Sequence, residues 1–201
     1  MGFFLKLVSY IFHPLLIPFA GTIAYFMVTP KYSPLEVQSG NVLPIFILTI
    51  IIPIISFLIL KNLGIVNSVF IPNIKERRYP LYISIALLLM VLVKVIPNNY
   101  TAELYYYFLG LIAATMSALL LLFLDFKSSI HMMGIGSLLM FMVSLSIHFE
   151  INISLIISLL TLATGLIASS RIYLKAHNKY EVIIGFLIGS VSQLLTVKFW
   201  L

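Results

Sequence analysis

The 201-residue chain is 62% hydrophobic and only 9% charged, with a mean hydropathy of +1.15, far above the apolar share of a soluble globular domain. Zero cysteines exclude disulfides, cysteine nucleophiles and thiolate metal sites. The net charge of +6 points to no nucleic acid: the cations fall between apolar runs, and anionic lipid headgroups are their natural counter-charge.

A membrane span needs about 20 apolar residues. The first run, Val8–Val28, follows a single Lys6, is too long for a signal-peptide core and lacks a small-x-small cleavage site. Pro14 and Pro18 are expected to kink it. A loop marked by Pro30, Pro34, Ser39 and Gly40 leads to the second run, Leu43–Leu60, and then to the charged stretch Lys75-Glu76-Arg77-Arg78. The third run, Leu81–Ile96, is short and ends at a Pro97-Asn98-Asn99 turn. Leu104–Leu124 follows, with Tyr105, Tyr106 and Tyr107, like Trp200, expected as interfacial anchors. Asp125, Lys127, Ser128, Ser129 and His131 lead into the fifth run, Ile130–Phe149. A tight turn at Glu150 opens the sixth, Ile151–Ser169, and the polar segment Ser170–Glu181 precedes the seventh, Val182–Trp200. Strand-like alternation is absent, so a barrel is not expected. The fold class is all-α: a polytopic transmembrane bundle of six or seven spans forming one integral membrane domain over 1–201. A bacterial cytoplasmic membrane is the expected location.

Two spans separate each polar cluster from the next, so all three emerge on one membrane face. That face collects nine of the twelve cations: Lys6, Lys61, Lys75, Arg77, Arg78, Lys127, Arg171, Lys175 and Lys179. Ionisable groups at a membrane edge need a partner or a task. His177 and Glu181, four apart, share a helix face and can hydrogen-bond; such a pair suits an imidazole nucleophile or base held in one tautomer. Arg171 offers a planar fork of donors suited to phosphate. His13 and His148 fit no pattern and read as structural. Lys175 and Lys179 read as snorkelling side chains, and Met132 and Met133 as packing or tail contacts.

The three clusters together resemble the type-2 phosphatidic acid phosphatase superfamily, whose pattern is Lys-x6-Arg-Pro, then Pro-Ser-Gly-His, then Ser-Arg-x5-His-x3-Asp. The third segment matches as Ser170, Arg171, His177 and Glu181, with Glu in place of Asp. The second keeps Ser129 and His131, while Ser128 and Ile130 replace proline and glycine. The first is Lys75-Glu76-Arg77-Arg78-Tyr79-Pro80, with a closer lysine and Arg-x-Pro. The resemblance covers 75–201, the phosphatase-like core. It implies a metal-independent phosphatase acting on a lipid phosphate or polyprenyl diphosphate, with no cofactor and with the membrane and its lipids as partners. His177 would attack phosphorus, Glu181 would orient it, and His131 would be the general acid. Lys75, Arg78, Ser129 and Arg171 would bind the phosphoryl group, with Arg77 able to replace Arg78. The rival readings are a zinc hydrolase built on His131, His177 and Glu181, a transporter or lipid-binding scaffold, and an inactive relative of the phosphatases.

Overall fold

A computed structural model of the chain describes residues 2–67, 74–96 and 101–200. The expected turn at Pro97, Asn98 and Asn99 lies outside the described residues, as does the Lys75 side chain. Among the described residues the architecture is all-helical, and seven helical segments are long and apolar enough to cross a membrane. The first segment comprises α1 (Gly2–Ile11), a 3-10 turn at Pro14–Leu16 and α2 (Ile17–Val28). The second is α3 (Leu35–Phe46) and α4 (Ile52–Asn62), joined through a wider π turn at Ile47–Ile51. Then come α5 (Ile74–Met90), continued by a π turn at Val91–Val95, α6 (Ala102–Phe123), α7 (Ile130–His148), α8 (Ser154–Tyr173) and α9 (Lys179–Val197). The third and sixth runs are full spans, so the alternative of six gives way to seven.

Three features of the expectation change. Residues 75–78, read as a loop, form the first turns of α5. There Glu76 accepts from the Asn67 amide at 3.1 Å and from Asn67 Nδ2 at 2.9 Å. The kink expected from Pro14 and Pro18 is a break: His13 caps the 3-10 turn, its Nδ1 accepting from the Leu15 amide at 3.3 Å. Tyr107 and Trp200, expected as interfacial anchors, are buried. Tyr107 stacks on Phe141 with centroids 4.3 Å apart and donates its hydroxyl to the Ile17 carbonyl at 2.9 Å. Its ring lies where a Cβ on Gly21 would come within 2.4 Å, so the small residue, not the interface, decides its place.

The centre of the bundle is α7, 67% of whose spanning window is buried against 17% for α8. It packs most closely on α9; α6 also lies against α9, α5 against α6, and α8 against α7, with α1 laid on α8. Lipid supplies no hydrophobic drive between spans, so close backbone approach through small residues does the work. Gly185 and Gly189 sit one turn apart on α9. A Cβ at Gly185 would lie 2.5 Å from the Ser129 carbonyl oxygen, and one at Gly189 would lie 2.0 Å from that of Met133. Ser137 Oγ adds a hydrogen bond to the Gly189 carbonyl at 3.2 Å. This seam fixes the start of α7 against the start of α9.

Candidate active site

The end of α8 is a hook. Lys175 adopts a left-handed conformation with φ 51°, and the amides of Ala176 and His177 turn back onto the Arg171 carbonyl at 3.1 and 3.3 Å. Helix ends commonly satisfy their last carbonyls this way. Here the reversal returns His177 to the flank of Arg171. Asn178 then caps α9: its Oδ1 accepts from the Glu181 amide at 2.9 Å, while the Glu181 carboxylate accepts from the Asn178 amide at 3.3 Å and from Asn178 Nδ2 at 3.2 Å. This is a capping box.

The same carboxylate lies 2.7 Å from His177 Nδ1. A carboxylate only accepts, so Nδ1 carries the proton and Nε2 keeps its lone pair. The longer arm of glutamate thus serves helix cap and imidazole together. The His177 side chain is 3% exposed. Burial lowers its pKa to about 4; Glu181 opposes the shift, and the positive charges of Lys127 and Arg77 add to it. At neutral pH the ring is uncharged, as a nucleophile requires.

Ser129 stands at the N-cap of α7, fully buried, and its amide donates to the Glu181 carbonyl at 3.0 Å. The second and third polar segments are therefore joined by backbone at the Gly185 contact. The amides of α7's first turn have no acceptor within the helix and carry the positive end of its dipole.

Three cations from three further places lie around this pair. Arg77 on α5 and Lys127 in the α6–α7 connection interact with each other, with Glu181 and with Arg171 at the end of α8. Burial lowers the Lys127 pKa, and Arg77 and Arg171 push it the same way against the pull of Glu181. Arg78 turns elsewhere: Nη2 donates to the Leu122 carbonyl at 3.2 Å and the guanidinium covers the Phe123 ring at 4.5 Å. Of the two arginines, Arg77 is the one whose charge acts on His177. His131, on the first turn of α7, lies within electrostatic range of Arg171, His13 and His177. Its Nε2 is 3.2 Å from the Ser9 carbonyl, and its ring meets His13 edge-on at 5.5 Å.

Five buried side-chain nitrogen or oxygen atoms lack a partner among the described residues, and three of them are Arg78 Nε, Ser129 Oγ and Arg171 Nε. The other two, Asn41 Oδ1 and Trp200 Nε1, lie elsewhere in the bundle; each such atom costs roughly 1–3 kcal/mol, and on Ser129 and Arg171 it marks a donor open to an anion. No group of three His, Asp or Glu side chains converges as a metal-holding set among the described residues; His131, His177 and Glu181 do not form the tripod a zinc reading needs.

Sequence reasoning overlooked Ser9 on the N-terminal segment, the orienting role of Asn178, and Lys127 as a charge acting on the histidine; His13, read as structural, caps a turn and packs on His131. Asn178-x-x-Glu181 was open to detection as a capping pattern. Nothing marks Ser9, a lone serine in an apolar run. Comparison of the chain with protein-family models, with curated proteins and with solved structures gives no match.

Proposed function

We propose that this is a membrane-embedded, metal-independent phosphatase that hydrolyses a lipid phosphate or polyprenyl diphosphate through a phosphohistidine, in the manner of the type-2 phosphatidic acid phosphatases. The observation that carries this reading is the pair of unpartnered buried atoms on Ser129 and Arg171, in the same two segments that hold a neutral imidazole braced by a carboxylate. Donors without acceptors call for an anion, and a neutral His177 beside them calls for an electrophile. Phosphorus in a phosphate ester is both.

In the first step His177 Nε2 forms a bond to phosphorus as the ester P–O bond breaks, and the departing oxygen takes the Nδ1 proton of His131, which enters the step as the imidazolium and keeps its Nε2 hydrogen on the Ser9 carbonyl. Nδ1–H stays on Glu181, which stabilises the positive charge that develops on the ring. Arg171, Arg77 and Lys127 neutralise the phosphoryl oxygens, and Ser129 with the first amides of α7 supplies further donors. In the second step water attacks the phosphohistidine and gives its proton to His131, releasing inorganic phosphate and restoring His177.

An apolar cleft in the bundle is lined among others by Pro14, Ile17, Leu81, Leu88, Ile130 and Met133. It encloses about 90 Å³, several times the roughly 10–15 Å³ that one water needs. Pro14 and Ile130 are chain neighbours of His13 and His131, so the cleft suits the first methylenes of a lipid tail whose headgroup is at the histidines. A helical bundle of this kind suits a bacterial cytoplasmic membrane.

The test is release of inorganic phosphate from lipid phosphates by purified protein with excess chelator. Release is expected to persist with chelator and to fall by about 10³-fold or more in His177→Ala. Release that chelator stops, or that survives His177→Ala, refutes the proposal.

A further inference from the structure

The N-terminal helix carries no part of the three polar segments, yet it meets three of their residues at once. Ser170 Oγ donates to the Leu5 carbonyl at 2.7 Å. With its one proton spent there, Ser170 Oγ can only accept from Ser9 Oγ, 2.8 Å away. Ser9 Oγ in turn accepts from Arg171 Nη1 at 3.2 Å. The protons therefore run in one direction, from Arg171 to Ser9 to Ser170 to the Leu5 carbonyl. On its backbone side, the Ser9 carbonyl faces His131 Nε2 at 3.2 Å. A carbonyl only accepts, so that nitrogen bears the hydrogen and Nδ1 is the one that exchanges protons.

We propose that Ser9, buried on α1, is a positioning residue: it holds Arg171 by Nη1, so that Nε is kept for the phosphoryl group, and its carbonyl fixes the tautomer of His131. The inference rests on the phosphatase reading and adds the N-terminal helix to its apparatus. Arg171 Nε, buried and unpartnered, is the edge left over once Nη1 is tied to α1. His13, on the same N-terminal segment, meets the His131 ring edge-on.

The experiment measures phosphate affinity apart from turnover. Binding of inorganic phosphate to the full chain in detergent is followed by the rise in melting temperature. KM and kcat are measured on a short-chain phosphatidic acid in micelles. Ser9→Ala removes the hydroxyl; Ser9→Cys keeps its shape with a much weaker acceptor and serves if the alanine variant does not fold; Ser9→Thr restores the hydroxyl. Losing the hold on a charged donor is expected to weaken phosphate binding and raise KM about tenfold. On the same reasoning kcat should change less than about threefold, and Ser9→Thr should return both constants to about the wild-type values. A merely structural serine would lower melting temperature in Ser9→Ala and Ser9→Cys while leaving phosphate affinity unchanged, and that result overturns the inference with the phosphatase reading intact. If wild-type protein neither binds inorganic phosphate nor releases it from the lipid, both fall together.

Discussion

The balance of charges around His177 sets the pH range in which the chemistry can run. Burial is the largest influence, and Lys127 and Arg77 reinforce it, so the ring takes up a proton only near pH 4. Since the neutral ring attacks, kcat/KM is expected to fall as pH drops through about 4. Lys127→Met removes one of the opposing charges, so its acid limb should shift to higher pH; ionisation of the substrate is common to both profiles and cancels in the comparison. An unmoved or lowered limb would mean that Lys127 does not act on His177. The same depression has a stability consequence. An unfolded histidine protonates near 6.5 while the folded one resists, so the unfolded chain binds more protons between about pH 6.5 and 4 and stability declines as pH falls through that window.

At the scale of elements, the site depends on how closely α7 and α9 approach. Gly189→Ala would place a Cβ 2.0 Å from the Met133 carbonyl oxygen, and backbone cannot step aside as a side chain can. A loss of about 3 kcal/mol is expected, together with loss of phosphate binding as Ser129 separates from Glu181. Gly165→Ala on α8 is the control: nothing lies within 4 Å of its Cβ position, so the better helix former should leave stability unchanged or raise it by up to about 1 kcal/mol. Thermal melting of both variants in detergent decides the matter, and equal effects would remove the seam from the account. Spans such as α6 and α7 are legible from the sequence because their apolar runs are long and uninterrupted. The start of α5 is not. Charged residues and Pro80 in its first turns resemble a loop, but at a membrane edge charges find partners such as Asn67, and a helix tolerates one missing amide. The candidate site is legible to the same depth. His177, Glu181, Arg171, Ser129 and His131 stand out as rare polar residues at telling intervals, whereas Ser9 and the divergent directions of Arg77 and Arg78 come only from tertiary packing.

Across the whole molecule, polar groups gather at both ends of the bundle, and the two gatherings differ in kind. At the start of α6, Glu103 is 2% exposed, and its carboxylate is fully engaged: Tyr25 donates its hydroxyl at 3.0 Å, Lys31 forms an ion pair, and His148 Nε2 lies 3.5 Å away. His148 also meets Trp200 edge-on with centroids 5.1 Å apart. This knot ties the ends of α2, α6 and α7 to the C-terminal turn. The histidine end, beyond the other end of 22-residue α6 and so about 33 Å away, instead leaves donors unpaired. The Glu103 carboxylate, satisfied within the protein, fastens the bundle, though Trp200 Nε1 beside it lacks a partner among the described residues; the open donors of Ser129 and Arg171 are left for a ligand. Glu103→Ala should therefore destabilise the protein by about 3 kcal/mol, since it takes the carboxylate acceptor from the buried Tyr25 hydroxyl and breaks a buried pair. Phosphate affinity and KM of the folded fraction should stay within about twofold of wild type, because no group at the histidine end loses a partner. A tenfold change in phosphate affinity without destabilisation would show instead that the two ends of the bundle are coupled, and that the division between fastening and binding does not hold.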